Sequence, residues 1–405
     1  MSGPVHHVAP VSFARLLVLA LALSLGAAVS LGVTRFAYGL LLPPMRADLQ
    51  WSYTLAGAMN TANALGYFLG ALITPRLLRH LTASGVALLG AWLASGFMAL
   101  TGFFTDATLL LAQRLLAGMA SALLFITGGL LAARLGAQKP SHNGLLLGLY
   151  YGGTGLGIVL SALLVPWLLE RAAGVAHGWA WAWWALAFAC VLASLVFAWP
   201  ARVLRDLQAP AATGDGAGRV FRWRDFSPGL IGYTMFGVGY IGYMTFVIAL
   251  LREQQVDAGR ITLFYALLGL AVVASSRIWA GLLDRFRGGQ SLALLNALLG
   301  VATVIPAVTA AWPLLLLSGL MFGGVFLSVV ASTTALVRHN LPAPQWAAGI
   351  SAFTTVFALG QIVGPSIVGW IADGPGGLTR GLAFSAGALW IGALVALRQR
   401  PLSGG

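Results

Sequence analysis

Twelve separate stretches of this chain are each long enough and apolar enough to cross a lipid bilayer, more than any soluble fold can bury. A span through about 30 Å of hydrocarbon needs roughly 20 mostly apolar residues. The stretches cover 16–44, 53–74, 83–104, 107–133, 143–169, 177–200, 228–251, 260–283, 290–311, 313–337, 345–372 and 378–397. Lipid offers the backbone no hydrogen-bond partner, so each stretch is predicted to be a helix. Composition agrees, because only 8% of the 405 residues are charged and 59% are hydrophobic, too little charge to cover a water-facing surface. The first stretch has the outline of a secretory signal, with Arg15 ahead of Leu16–Leu25. It runs on to Pro43 and similar spans follow, so it is read as an uncleaved first helix.

The formal charge of +13 suggests nucleic acid, but the distribution does not. Arginines fall singly between the spans, Lys139 is the one lysine, and no basic stripe alternates with aromatics. Membrane topology accounts for the excess. With the N-terminus inside, fifteen of the 23 lysines and arginines lie on the cytoplasmic side, five lie outside, and Arg35, Arg114 and Arg277 fall within spans. This bias predicts cytoplasmic termini and a multi-pass protein of the bacterial inner membrane. The single cysteine, Cys190, excludes an internal disulfide framework and sits in an apolar run as a small hydrophobe.

The longest polar segment, 201–227, contains five arginines and follows the sixth span, so it reads as a flexible basic linker. The expected organisation is a six-helix bundle over 1–200, the cytoplasmic linker over 201–227, and a second six-helix bundle over 228–405. The halves echo each other. Gly70–Arg79 (GALITPRLLR) follows the second span and Ala280–Gly289 (AGLLDRFRGG) the eighth, while Gly153 and Gly157 match Gly360 and Gly364.

On these residues the chain resembles the major facilitator superfamily of secondary transporters over its full length. Asp284, Arg285 and Arg287 match the acidic-basic loop motif of that family, with Ala280 at its glycine position. The first copy keeps Gly70, Arg76 and Arg79 but has Thr74 where the family prefers aspartate. Arg114 and Gly118 are similar to the arginine motif of the fourth helix. Gly360, Gly364 and Pro365 are similar to a glycine-proline motif that exporters usually carry on helix five. The stretch from Gly32 through Arg35 and Tyr38 to Pro43 resembles the YbfB/YjiJ-type subgroup, permeases without an assigned substrate. The resemblance implies an all-α membrane protein with twelve transmembrane helices in two six-helix bundles, and transport by alternating access. It places Gly70, Arg76, Arg79, Asp284, Arg285, Arg287, Gly360, Gly364 and Pro365 at gates or hinges; close helix packing explains the glycines equally well.

Charges at membrane depth are costly and mark function. Arg35 lies nine residues before Pro44 and Arg114 eight after Asp106, so both sit roughly 12 to 14 Å from the outer edge. In the resembled fold helices one and four line a central cavity, where two guanidiniums would suit a carboxylate or phosphate. The other reading has them holding helices together through backbone carbonyls. Arg277 lies seven residues from Asp284 and is the weaker candidate. Tyr38, Asn60, Asn63, Gln113, Tyr150, Tyr151, Tyr240, Tyr243, Thr355 and Gln361 are polar candidates around them, with Asn60 and Asn63 three apart on one helical face. Trp179, Trp181, Trp183 and Trp184 read as an interfacial belt.

All ten carboxylates and six histidines fall outside the span centres, so no embedded proton relay is evident, Glu170 and Glu253 being the carboxylates that could reach inward. Moving one negative charge inward against 100 mV costs about 2.3 kcal/mol, so uncoupled anion uptake is opposed while export or exchange is not. The sequence therefore points to a carrier that exports or exchanges a small organic anion bound by Arg35 and Arg114. A multidrug or sugar efflux carrier with structural arginines is the alternative within transport, and a non-transporting receptor or scaffold the alternative outside it. No GxxxxGK[ST] stretch supports a pump and no clustered nucleophile or metal ligands support an enzyme. The expected partners are a small-molecule substrate and the lipid bilayer, with no nucleic acid, cofactor or metal, and the chain is expected to function as a monomer.

Overall fold

A computed structural model describes residues 12–205 and 220–402. The middle of the expected linker, 206–219, lies outside the described residues. Among the described residues fourteen α-helices follow one another: α1 (Phe13–Ala27), α2 (Tyr38–Leu49), α3 (Tyr53–Leu77), α4 (Ala83–Thr101), α5 (Ala107–Ala137), α6 (Asn143–Arg171), α7 (Trp179–Val203), α8 (Ser227–Glu253), α9 (Ala258–Ile278), α10 (Ala280–Arg285), α11 (Gln290–Val308), α12 (Trp312–Asn340), α13 (Trp346–Ala372) and α14 (Gly377–Ala396). Several starts are written locally. Ser52, Thr82, Asp106 and Asp257 each accept a hydrogen bond from a first-turn backbone N–H, satisfying a donor the helix cannot.

These helices account for the twelve predicted spans. The first span is α1 and α2 joined by a π-helical segment, Ala28–Val33, and the eighth is α9 with the short α10. Among the described residues eleven helical runs are long and apolar enough to cross a membrane, and α3 is the twelfth span without reaching that apolarity. Its polar residues explain the shortfall. Asn60 and Asn63 are buried, so α3 turns polar groups toward protein rather than lipid.

Two bundles result. In the first, α5 packs on α3 and α4, and α1 on α6 and α7; in the second, α14 packs on α8 and α11, and α9 on α12. They meet along three seams, α3 with α13, α6 with α9, and α2 with α8. The α3–α13 seam is antiparallel, and its contacts cluster toward the end of the molecule that carries Asp373. Thr61 Oγ1 donates to the Ile362 carbonyl at 2.7 Å and meets Ser366 Oγ at 2.8 Å. Gly57 faces the Pro365 carbonyl, and Gly369 the Tyr53 carbonyl, so closely that neither position has room for a Cβ. Small residues bring the two backbones together where lipid supplies no hydrophobic drive.

The tryptophan belt is only partly realised. Trp179 and Trp183, four apart, share the inward face of α7 and are buried, whereas Trp181 on the opposite face is exposed. Gly360 and Gly364 pack against the Thr234 and Val238 carbonyls of α8, again without room for a Cβ.

The short Thr61–Ser366 contact predicts that a Thr61→Cys/Ser366→Cys variant oxidises to a disulfide, since the two side chains already meet. Maleimide labelling should lose both engineered thiols on oxidation and regain them on reduction, the buried Cys190 being the one native thiol. Adding Gly57→Leu should hold α3 off α13 and leave both thiols reactive.

Candidate functional site

The π-helical segment creates the centre of the site. Its wide turns pair Thr34 N with the Val29 carbonyl and Phe36 N with the Leu31 carbonyl, and they end in an irregular turn, Thr34–Ala37, before α2 begins. Such interruptions often mark functional positions because they free backbone groups and redirect side chains. Here the Thr34 carbonyl accepts a hydrogen bond from Arg114 Nη1 at 2.8 Å, and the next residue is Arg35.

The two central arginines are therefore neighbours, but their surroundings differ. Arg114 also donates from Nη2 to Asn60 Oδ1 at 2.9 Å and lies over the Tyr38 ring at 4.8 Å. Asn60 in turn donates to Thr245 Oγ1 on α8 at 2.7 Å, so the arginine is linked across the seam between the bundles. Asn63 donates to the Arg114 carbonyl at 3.1 Å, and Tyr38 donates to the Ala56 carbonyl at 2.8 Å. Arg114 thus holds α2, α3 and α5 together.

Arg35 is 3% exposed, yet its Nε and Nη2 have no hydrogen-bond partner among the described residues. Its guanidinium faces the Tyr67 ring at 5.9 Å. Tyr67 lies within electrostatic reach of Arg35, Tyr151 and Tyr240. Leaving buried guanidinium donors unpaired costs more than the roughly 1–3 kcal/mol of a neutral donor. Tyr67 is absent from the candidates that the sequence suggests, although it completes one helical face with Asn60 and Asn63 at positions i, i+3 and i+7.

The other sequence candidates divide. Tyr240 donates to Gln361 Oε1 at 2.5 Å and stacks on Phe357 and Phe326, close to the site. Tyr151 is 39% exposed and packs on Phe125, whereas its neighbour Tyr150 is buried and donates to the Phe125 carbonyl. Tyr243 is buried within the second bundle against Ser318 and Phe322. Gln113 is buried and its Oε1 has no partner among the described residues, and Thr355 bonds its own helix at the Ser351 carbonyl. Arg277 is exposed near the end of α9.

The two ends of the molecule also differ. At one end Asp373, just past α13, receives hydrogen bonds from Tyr53 N at 2.6 Å, Thr54 N at 2.8 Å and Thr54 Oγ1 at 2.6 Å. It caps a helix of the opposite bundle. Tyr53 OH bonds Glu253, and the Arg46 guanidinium lies 3.7 Å above the Tyr53 ring. A cavity of about 430 Å³ lined by Pro43, Asp48, His177, Trp179 and Arg252 opens at this end and contains neither central arginine. At the other end Arg76, Arg79, Asp284, Arg285 and Arg287 are exposed, and none forms an ion pair among the described residues. Thr74, in place of an aspartate, is buried and bonds the Gly70 carbonyl at 2.8 Å, while Gly70 packs against Met119.

Residues 27–397 match the family described as "Uncharacterised MFS-type transporter YbfB". The chain belongs to this family of the major facilitator superfamily. It is a multi-pass membrane transporter and not an enzyme. A protein from Agrobacterium vitis named "Putative tartrate transporter" is 31% identical over 150 residues, 36% of this chain and 33% of that protein. A second of that name and organism is 44% identical over 68 residues, 16% of each chain. The matched stretch thus spans about a third, or less, of these relatives. Among solved structures, a bacterial homologue of the human lysosomal transporter Spinster, inward-facing and unoccupied, shares the fold at TM-score 0.70 and 14% identity, over 97% of this chain and 100% of that one. The nucleoside transporter NupG gives 0.70 at 14% over 94% and 98%, and a mutant of the peptide transporter POT 0.71 at 15% over 98% and 96%.

Partial burial pushes the Asp373 carboxyl upward, but the hydrogen bonds from Thr54 and Tyr53 and the charge of Arg46 outweigh it and hold the group below its ordinary value. A depressed carboxyl favours the closed contact above the pKa of a free aspartate and loses that contribution as pH falls through the lowered value. Spin labels at Phe103 and Val308, one on each bundle, should report a longer separation at acid pH. Asp373→Ala, which removes both acceptor oxygens, should lengthen it already at neutral pH, weakening closure by about 1 kcal/mol as for a lost helix cap.

Proposed function

We propose that the transporter moves a small organic anion held at Arg35 beside Arg114, by alternating access, as an exporter or exchanger. The observation that carries this reading is the Arg35 guanidinium, buried at 3% exposure with Nε and Nη2 unpartnered among the described residues. A charge in that setting is completed by an anion, and a guanidinium offers forked donors that match a carboxylate. Arg114, occupied by Thr34 and Asn60, adds positive field and keeps the neighbouring turn in place. The names of the Agrobacterium vitis relatives agree with a carboxylate cargo.

The basic excess of the Asp284 end supports placing that end in the cytoplasm. On this orientation the Asp373 latch closes the outer side while the loops carrying Arg76 and Asp284 stand free on the inner side, an inward-open arrangement that loads from the cytoplasm. No carboxylate or histidine lies at a span centre to relay protons. The membrane potential then favours outward movement of an anion by about 2.3 kcal/mol per charge per 100 mV.

Flux of benzoate, succinate and tartrate in proteoliposomes tests the reading. Counterflow should be driven by an outward anion gradient or an inside-negative potential. Arg35→Gln should lower it by about 10- to 100-fold, the loss of one charged hydrogen-bonded contact, with Arg35→Lys intermediate. Strict dependence on an inward proton gradient, or flux unchanged in Arg35→Gln, would sink the proposal.

A further inference from the structure

The residues beneath Arg35 define the cargo more narrowly than its charge does. α3 and α13 run antiparallel, with Gly57 opposite Pro365 and Thr61 bonded to Ile362 and Ser366. Beyond Thr61 the two helices share no further hydrogen bond among the described residues. Tyr67 lies about 9 Å further along α3, and Phe357 about 7.5 Å from Ile362 in the same direction along α13. They occupy the same level, one on each bundle, just past the last hydrogen bond of the seam among the described residues.

Each of these rings belongs to a group. On the first bundle Tyr67 and Tyr151 flank Phe125, at centroid distances of 6.5 and 5.6 Å. On the second, Phe357 stacks on Tyr240 at 5.5 Å with the planes 22° apart. The exposure of Tyr151 is not that of a lipid-facing residue, because Gly155, one turn on along the same face, packs on Gly269 and Val273 of α9 on the opposite bundle. Tyr151 therefore faces the space between the halves.

Arg35 is the guanidinium that faces the Tyr67 ring, with Nε and Nη2 unpartnered among the described residues, where Arg114 leaves only its buried Nε. Nη1 and Nη2 of Arg114 are bonded to Thr34 and Asn60, and Arg277 is exposed near a helix end. A second negative charge on the ligand would meet aromatic faces, which carry the negative side of the ring quadrupole. A flat π-system, in contrast, matches them by stacking.

Resting on the anion reading above, we propose that the cargo is an aromatic monoanion, its carboxylate on Arg35 and its ring between Tyr67 of one bundle and Phe357 and Tyr240 of the other. An acyclic dicarboxylate such as tartrate fits this space less well, despite the names of the relatives. Closure around the ring also brings both bundles onto one ligand.

Binding to the purified full-length protein, followed by thermal shift and titration calorimetry, separates the two layers of the argument. Benzoate should bind about tenfold tighter than cyclohexanecarboxylate, which has the same head without the π-system, and than tartrate; neutral benzyl alcohol should bind at least tenfold more weakly. Arg35→Gln should abolish benzoate binding. Tyr67→Leu and Phe357→Leu should remove the preference for benzoate over cyclohexanecarboxylate while leaving both dependent on Arg35, and Tyr67→Phe should restore it. Unliganded melting temperatures identify any variant that fails to fold, in which case Tyr240→Leu carries the same expectation. Arg35-dependent binding of tartrate or cyclohexanecarboxylate as tight as that of benzoate overturns the aromatic cargo and leaves the anion carrier standing. Binding of none of the acids, or binding indifferent to Arg35, overturns both.

Discussion

A guanidinium inside a bilayer has to find its partners among the protein or its cargo, since hydrocarbon provides none; even on the mildest scale its placement costs about 2.5–3.5 kcal/mol. The molecule meets that constraint in two ways within a few ångströms. For Arg114 the chain breaks its own first span. The π-helical turns of Ala28–Val33 release the Thr34 carbonyl, and that carbonyl with Asn60 takes Nη1 and Nη2, leaving Nε as the one unpartnered nitrogen of that guanidinium among the described residues. For Arg35, one residue on, Nε and Nη2 find no such carbonyl or amide among the described residues. The same irregularity that engages one arginine thus leaves the next with two donors free, the feature on which the proposed anion site rests.

Closure at the Asp373 end follows a related logic. Contacts that must separate during a transport cycle cannot depend on burying large apolar side chains, which lipid would solvate equally well. The seam uses glycines that bring backbones close, hydroxyls such as Thr61 and Ser366, and a carboxylate capping the first turn of α3. Each is a short-range polar contact whose donors and acceptors water can take over when the helices part. The seam of α6 with α9 uses Gly155 and Gly269 in the same way.

Much of this is legible in the chain, and the reasons for the rest are local. Span length and apolar content identify helices because backbone satisfaction in lipid admits little else. The polarity of Asn60 and Asn63, a pair that shares one face, is also what keeps α3 below the apolarity of its neighbours. Trp179 and Trp183 mislead because their kind favours membrane interfaces, while their spacing of four puts them on the inward face of α7. The partner of Arg114 cannot be read from sequence, since a carbonyl becomes available only where the helix changes its turn. Asp373 and Tyr53 stand 320 residues apart, and no pattern in either neighbourhood points to the other. Tyr67 carries a readable signal, its seven-residue spacing from Asn60, but a tyrosine in an apolar run looks like packing until a free charge is found above it.

The helix that joins these features is α3. From its first turn toward its last it carries Tyr53 and Thr54 on the carboxylates of the other bundle, Asn60 between Arg114 and Thr245, and Tyr67 under Arg35. Fourteen residues of helix are about 21 Å of stiff rod. A displacement at Tyr67 is therefore felt at Tyr53 without a chain of intermediate side chains to transmit it. The carboxylates that bridge the bundles, Glu253 and Asp373, both act on this one helix, at the end opposite the ring. Charge at the centre and closure at the Asp373 end are thus two loads on a single element, and on the proposed reading a ligand that draws Arg35 and Tyr67 together alters the footing of the latch directly. That arrangement needs no acid at membrane depth to connect binding with closure.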